Sequence, residues 1–378
     1  MKRLLFSLIF LSSFVYAQKE IVFDKSINVE NFKSLDLHFE NITLDIRESK
    51  DEKVHLDFKL ELDNFSEKEK EAFINQIKFE QNIFNDKLSF SIKSKEEITK
   101  RQMFPDERIT EGDLSKLLHS TMKKYVKFNA KRKTKVEIIK GHNGFFKQYS
   151  EYYKLREKLA KSRKVKYLKS FFTIYIPENL LGNLNITAKE SRFNFGELEL
   201  KNLNLFTDGG YLNISKLTKS KITCWNGSVF LGEVDSSIII GRSTTNILIG
   251  GIANSNLIAE YTKVEIGEVG EYNDIKDFNS KVYLYNFADR FKKFNFKGEY
   301  SEIHFYEPEK EYTIVCRGHD TTYFFDKDTI VSQPSKTGKK SKMMERKRKD
   351  NKEISGDMQF DIVHTKFHYP AQVKINKK

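Results

Sequence analysis

His364 and His368 stand four residues apart, and His319-Asp320 follows shortly after Cys316. Imidazole, carboxylate and thiolate groups of this kind are zinc ligands when they converge. The spacings argue against convergence. On one strand, positions four apart point to the same side but lie about 13 Å from each other, too far to share an ion. On a helix they could share one, yet Phe367, Tyr369 and Pro370 do not favour a helix. The His319-Asp320 pair lacks a second spaced cysteine. No metal and no cofactor are expected.

Acid–base or calcium chemistry on polysaccharides needs clustered carboxylates, with a Lys or Arg base in a lyase. Glu233, Asp235 and Glu268 come nearest. The flanking repeats offer them Ser215, Gly250 and Gly251, so no cluster is expected and the chain reads as a non-enzyme. Gly267-Glu-Val-Gly270 lacks the third glycine and following helix of a dinucleotide loop. The aromatics Phe291, Phe294, Phe296, Tyr300, Phe305 and Tyr306 read either as a sugar-stacking platform or, preferably, as a cap over an open end of the fold.

These residues are carried by short alternating strands. Leu35, Leu37, Phe39, Ile42, Leu44 and Ile46 alternate at period two, as do Val54 to Leu62, and Asn41 supplies a turn. Ser66 with Glu69 forms a capping box that starts a helix over Ser66 to Glu80. Helical spacing returns in 106–168, and strand alternation resumes at Phe172, Ile174 and Ile176 before Pro177. Beyond Leu184 the chain repeats. One series begins at Phe193, Leu212, Val229, Ile247 and Val264. An interleaved series begins at Leu203, Ile222, Ile238, Leu257, Val282 and Ile303. Units of about 18 residues with two short strands cannot bury their apolar faces alone, but stacked they build a parallel β-solenoid of the right-handed β-helix type. An antiparallel meander or sandwich is the alternative. Glycines 196, 209, 210, 227, 232, 241, 250, 251 and 267 are expected near the corners.

The expected fold class is therefore mostly β: a solenoid with an N-terminal strand region and a helical insertion. The expected divisions are 18–105, an N-terminal β region with one helix; 106–168, a basic helical insertion; 169–310, solenoid repeats; and 311–378, C-terminal strands around a disordered basic loop at 332–352. Met358, Phe360 and Ile362 read as a strand returning to the main body. Counting four rungs between Cys224 and Cys316 separates them by about 19 Å. A disulfide needs Cα atoms within about 7 Å. Two free thiols are expected, with Cys224 a small core residue.

Lys2 and Arg3, the apolar run Leu4 to Val15 and the small Ala17 read as a secretory signal cleaved before Gln18. The chain is thus expected to be exported, to the periplasm or the cell surface. No later segment approaches the 18 or so apolar residues of a membrane span.

Asn31-Phe32-Lys33-Ser34-Leu35-Asp36-Leu37 followed by Asn41-Ile42-Thr43-Leu44-Asp45-Ile46 resembles the opening strand pair of the putative adhesin family of bacterial exported β-solenoids, the DUF4097 and DUF2807 type. Phe172 to Pro177 resembles that family's strand before the solenoid, and Leu184 to Ala188 with Phe193 to Gly196 resembles its first rung. The resemblance covers residues 26–100 and 170–306. It implies an envelope binding or scaffold module and brings no catalytic residues.

The net charge is +13. Residues 116–170 hold 18 Lys/Arg against three acids, and residues 336–352 hold nine against two, which leaves the strand-rich body acidic. Lys131, Arg132, Lys133, Lys135, Arg346, Lys347, Arg348 and Lys349 are candidate contacts to an anionic envelope surface, or to a glycan, while an exported chain rarely meets nucleic acid. The sequence supports a non-enzymatic, adhesin-like envelope module, with a glycan-binding or carbohydrate-active β-helix protein as the alternative.

Overall fold

A computed structural model describes residues 19–104, 166–306, 313–325, 331–332, 341–346 and 356–369. The expected signal segment, almost all of the expected 106–168 insertion and most of the expected basic loop lie outside these residues. So do Lys131, Arg132, Lys133, Lys135, Lys347, Arg348 and Lys349.

The chain opens with antiparallel strands. β1 (Lys19–Asn28) pairs with β3 (Lys53–Asp63), and β3 pairs with β7 (Lys166–Ile176). Between β1 and β3 in sequence, β2 (Ser34–Glu48) forms the first full rung. Its first half joins one sheet (sheet B), its second half joins another (sheet A), and Asn41 at φ 60° makes the corner. Asparagine tolerates this left-handed conformation where most residues resist it.

The capping box forms as read, with Ser66 and Glu69 bonded reciprocally at the start of α1 (Glu67–Asn75). The helix stops five residues short of Glu80. Its would-be last turn is taken by β4 (Ile77–Phe84), which forms a hairpin with β5 (Lys87–Ile98). Cross-strand pairing along all eight residues of β4 outweighs a modest helix preference. β6 (Arg101–Phe104) then pairs with β7, which already begins at Lys166, so the 106–168 boundary moves back by three residues.

After α2 (Glu178–Leu181) the rungs stack in parallel. Sheet B receives β8 (Leu184–Lys189), β11 (Asn204–Asp208), β13 (Lys221–Trp225), β15 (Ile238–Arg242), β17 (Ser255–Glu260), β19 (Tyr272–Phe278) and β21 (Lys293–Glu299). Sheet A receives β9 (Arg192–Asn194), β10 (Glu199–Lys201), β12 (Tyr211–Thr218), β14 (Ser228–Asp235), β16 (Asn246–Ala253), β18 (Lys263–Val269), β20 (Lys281–Leu284) and β22 (Glu302–Phe305). The parallel solenoid is thus the fold, and the antiparallel alternative falls. The repeat needs one correction: Val282 and Ile303 belong to the sheet A series, while Ile275 and Phe296 continue sheet B.

The core is a set of columns. Leu205, Ile222, Ile239, Leu257, Ile275 and Phe296 align through sheet B, and Leu212, Val229, Ile247, Val264, Val282 and Ile303 through sheet A. Each is at most 1% exposed. Burying one such side chain contributes about 1.5–3 kcal/mol, which is what drives an isolated rung to stack.

The corners are built differently from the expectation. Among the described glycines only Gly196, Gly209 and Gly210 have positive φ. Most corners use a non-glycine left-handed residue followed by an inward Ser or Thr: Lys219-Ser220, Ser236-Ser237, Asn254-Ser255, Ser243-Thr244, Tyr261-Thr262 and Asn279-Ser280. Each of these inward hydroxyls donates to the carbonyl two residues earlier. Those of Ser220, Ser237, Ser255, Thr262 and Ser280 also accept the N–H of the equivalent inward residue one rung earlier, as in Ser220 N to Ser237 Oγ (3.0 Å) and Ser237 N to Ser255 Oγ (2.9 Å). These ladders satisfy corner N–H groups that water cannot reach. Gly232 lies instead within a sheet A strand, where a Cβ would collide with the Ser215 carbonyl of the rung before.

At the far end the chain order breaks. β27 (Asp357–Val363) pairs in parallel with β21 on one side and with β23 (Thr313–His319) on the other. β28 (Lys366–Tyr369) likewise lies between β22 and β24 (Thr322–Phe325). The returning C-terminal strand expected at Met358 to Ile362 is therefore an inserted rung. β26 (Ser341–Arg346) pairs antiparallel with β23 and with β25 (Val331–Ser332), so part of the expected loop 332–352 is strand. Backbone pairing with the open edge of β23 provides the order that composition did not signal.

Candidate functional site

Outward residues on a strand come two apart, and in-register rungs stack them into columns. On sheet A near the C-terminal end one column runs Glu265, Tyr283, His304, His368 and Phe324. The column beside it runs Lys263, Lys281, Glu302, Lys366 and Thr322. Four rings of the first column lie face to face. Centroids are 4.5 Å apart for Tyr283–His304, 4.5 Å for His304–His368 and 4.4 Å for His368–Phe324, with planes within 7° of parallel.

Glu302 links the columns. Its Oε1 is 3.0 Å from His304 Nε2 and 3.5 Å from His368 Nε2, and its Oε2 receives Lys281 Nζ at 2.8 Å. Partial burial works against the Glu302 charge, but the Lys281 ammonium and His304 more than offset it, so its carboxyl titrates below its ordinary range. Burial, aided by the neighbouring His368, lowers the His304 pKa despite Glu302. Two strands back, the buried Glu265 carboxylate accepts from Lys263 Nζ (2.6 Å) and Tyr285 Oη (2.9 Å). Burial, and then the Glu265 charge, raises the Tyr285 pKa. Tyr306 stacks on Tyr285 at 4.9 Å.

A shallow groove runs beside these columns, lined by Tyr261, Lys263, Lys281, Tyr300, Glu302, His364 and Lys366 among others. Tyr261, Tyr300 and His364 are corner residues at φ 52°, 55° and 50°. Tyr261 and Tyr300 each meet Phe278 edge-on, and Tyr300 stacks on His364 at 4.8 Å. Both tyrosines remain more than half exposed.

His364 and His368 do not meet. His364 turns the corner between β27 and β28, so the two are not on one strand as the 13 Å reasoning assumed. The partner of His368 is His304, which the sequence reading passed over. The signal was present: Val282-Tyr283-Leu284, Ile303-His304-Phe305 and Phe367-His368-Tyr369 share an inward–outward–inward pattern, so their middle residues stack once the rungs are aligned. Glu302, His304 and His368 form the described group whose donor atoms could hold a metal, all within 4.8 Å of one another.

The other sequence candidates disperse. Glu233 and Glu268 lie on either side of Gly251, two strand spacings apart, with Lys216 next to Glu233, and Asp235 receives Asn254 Nδ2. Of the aromatics proposed as platform or cap, Phe291, Phe294, Phe296 and Phe305 are buried inside rungs, because two further strands of each sheet cover them. Tyr300 and Tyr306 alone remain near the surface. Cys224 and Cys316 are both free and buried. Cys316 stands six strand steps from Cys224, about 29 Å, rather than four: the inserted rung adds one step and the strand of Cys316 itself adds the other. Arg346 ends β26, opposite Ile314. No helix among the described residues is long and apolar enough to cross a membrane.

No family model and no curated protein matches this chain. Among solved structures, one that is similar is a putative cell adhesion protein from Clostridium sporogenes. It shares 9% identity over 93% of this chain and 98% of that one, at a TM-score of 0.19.

Proposed function

We propose that the chain is a non-enzymatic, exported cell-envelope protein, an adhesin-like β-solenoid module of the DUF4097 type, that binds its ligand in the groove beside Tyr261, Tyr300 and His364. The observation that carries this reading is the use of exposed tyrosines at left-handed corners. Such a conformation costs an ordinary residue roughly 1–2 kcal/mol. The ring contacts to Phe278 and His364 return about 0.5–1.5 kcal/mol each, so the tyrosines add little net stability. Neighbouring rungs make the same corner with Asn226, Ser243 and Asn279. What tyrosine adds over asparagine is exposed aromatic surface.

The ligand class that fits is a glycan. Flat rings stack on sugar faces, and Lys263, Lys281 and Lys366 offer donors to hydroxyl or acidic groups along the same groove. Glu302 is its only lining carboxylate among the described residues and is held by Lys281. That arrangement favours binding over the paired-carboxylate chemistry of glycosidases.

A panel of immobilised neutral and acidic glycans, probed with the wild-type chain and with Tyr261→Asn/Tyr300→Asn, tests the reading. Saturable binding that weakens at least tenfold in the double variant, with thermal stability changed by less than about 1 kcal/mol, is expected. Undiminished binding by the double variant would place the contact elsewhere. Cleavage of any panel member would favour the carbohydrate-active alternative.

A further inference from the structure

Two imidazoles and a carboxylate meet where the inserted C-terminal rung lies against its neighbour. We propose that Glu302, His304 and His368 bind a divalent transition-metal ion of the zinc class, pinning β28 to β22. The inference does not rest on glycan binding and fails or survives independently of it.

The donor set suits the ion. Zinc accepts imidazole nitrogen at about 2.0–2.1 Å and carboxylate oxygen at about 2.0–2.2 Å, which places two donors on one tetrahedral ion roughly 3.3 Å apart. The two Glu302–histidine separations, 3.0 and 3.5 Å, already match that spacing. The third pair, nitrogen to nitrogen, lies within 4.8 Å and must close further.

Ring geometry says how it closes. The two imidazole planes are parallel to within 2°. Nitrogen lone pairs lie in the ring plane, so one ion cannot lie on both while the rings stay stacked. Rotation of one ring about χ2 brings the lone pairs together, and that torsion is broad for histidine. Both side chains are partly open to solvent, at 19% and 24%, and the turn costs the rotating ring its stacking on Tyr283 or on Phe324. The surroundings are otherwise set. The register of β22 and β28 fixes His304 opposite His368. Lys281 holds the outer oxygen of Glu302 and so orients the inner one toward the imidazoles, the kind of support that metal ligands receive from their neighbours. The Lys281 charge also opposes a second cation, which predicts moderate rather than extreme affinity.

The test uses the full chain, stripped with chelator and titrated with zinc by calorimetry at neutral pH, with cobalt(II) as a spectroscopic probe. One ion per chain, a raised thermal midpoint and a visible cobalt d–d band are expected. His304→Ala and His368→Ala, both outward-facing, should each weaken binding at least about tenfold, while His364→Ala should leave it unchanged. Absence of binding heat and of any melting shift in the wild-type chain overturns the proposal. So does binding that survives the His304→Ala/His368→Ala double variant, or that is lost in His364→Ala alone.

Discussion

Asp277 shows how one inward side chain changes the chemistry of a column. Its neighbours in register are Ala259 and Gly298, so a carboxylate occupies a line of small core residues. It is 6% exposed and neither oxygen has a hydrogen bond, since the nearby Ser280 and Ser301 hydroxyls donate to the Phe278 and Glu299 carbonyls. Burial raises its pKa from 3.8 to about 6, and the nearby hydroxyls relieve only part of that. A folded pKa above the unfolded one means that the folded chain holds the proton more tightly. The stabilisation is full below about pH 4 and is lost as pH rises to about 6, a change of roughly 2–3 kcal/mol. Asp277→Asn should flatten that part of a melting-temperature profile against pH, and an unchanged slope would refute the assignment. The cysteines obey the same rule: burial pushes Cys224 up to about 11 and Cys316 up to about 12. A thiol reagent should find neither in the native, unreduced chain at pH 8 and two in denaturant; none in denaturant would mean they are oxidised. The thiols were legible in the sequence, because stacking distance alone forbade a bridge. Asp277 was not, because a single polar residue on an apolar face becomes visible only when the column around it is known.

At the scale of the element, the corner ladders determine whether rungs stack in register. Ser237 donates to the Asp235 carbonyl and accepts the Ser220 N–H, both buried in the stack. Ser237→Ala leaves that N–H without a partner and should cost about 1–3 kcal/mol, read from denaturant melts. Thr223→Ala, on the outer face of β13, should change stability by less than about 0.5 kcal/mol. Equal effects from the two would show that the ladder carries no special weight. The strands themselves were legible from alternation. Their assignment to sheets was not, since Val282 and Ile303 alternate as Leu205 and Ile222 do, and only the corners between them say which sheet each joins. The corners escaped notice because they use Lys219, Tyr261 and Tyr300 where glycine was sought. The pattern that marks them is a polar or aromatic residue followed by Ser or Thr, and it carries meaning only once the rungs are aligned. The metal candidate was hidden for the same reason: His304 and His368 become neighbours through the register of β22 with β28, which no local spacing shows.

For the whole molecule, antiparallel strands close the N-terminal end, and at the other end the inserted rung of β27 and β28 joins the stack to a last rung of β23 and β24, edged by β26. Phe294, Phe296 and Phe305 face Phe360 and Phe367 of that rung at centroid distances of 5.7 to 6.4 Å. A chain ending at residue 355 lacks those partners and leaves β23 and β24 nothing in register to pair with on that side. In hydrogen exchange, residues 313–325 should lose protection in this truncation while 204–269 retain theirs; retained protection at 313–325 would mean that β23 can dock directly on β21. The inserted rung has a further consequence for the order in which the molecule can be completed. The strands that separate β21 from β23 are the last described segment of the chain to be synthesised. Until they arrive, the earlier rungs end in an exposed aromatic face, and β23 has β26 on one edge but nothing on the edge that faces the rungs. A chain that stops before residue 356 thus displays an apolar aromatic surface of the kind that makes incomplete folds prone to association.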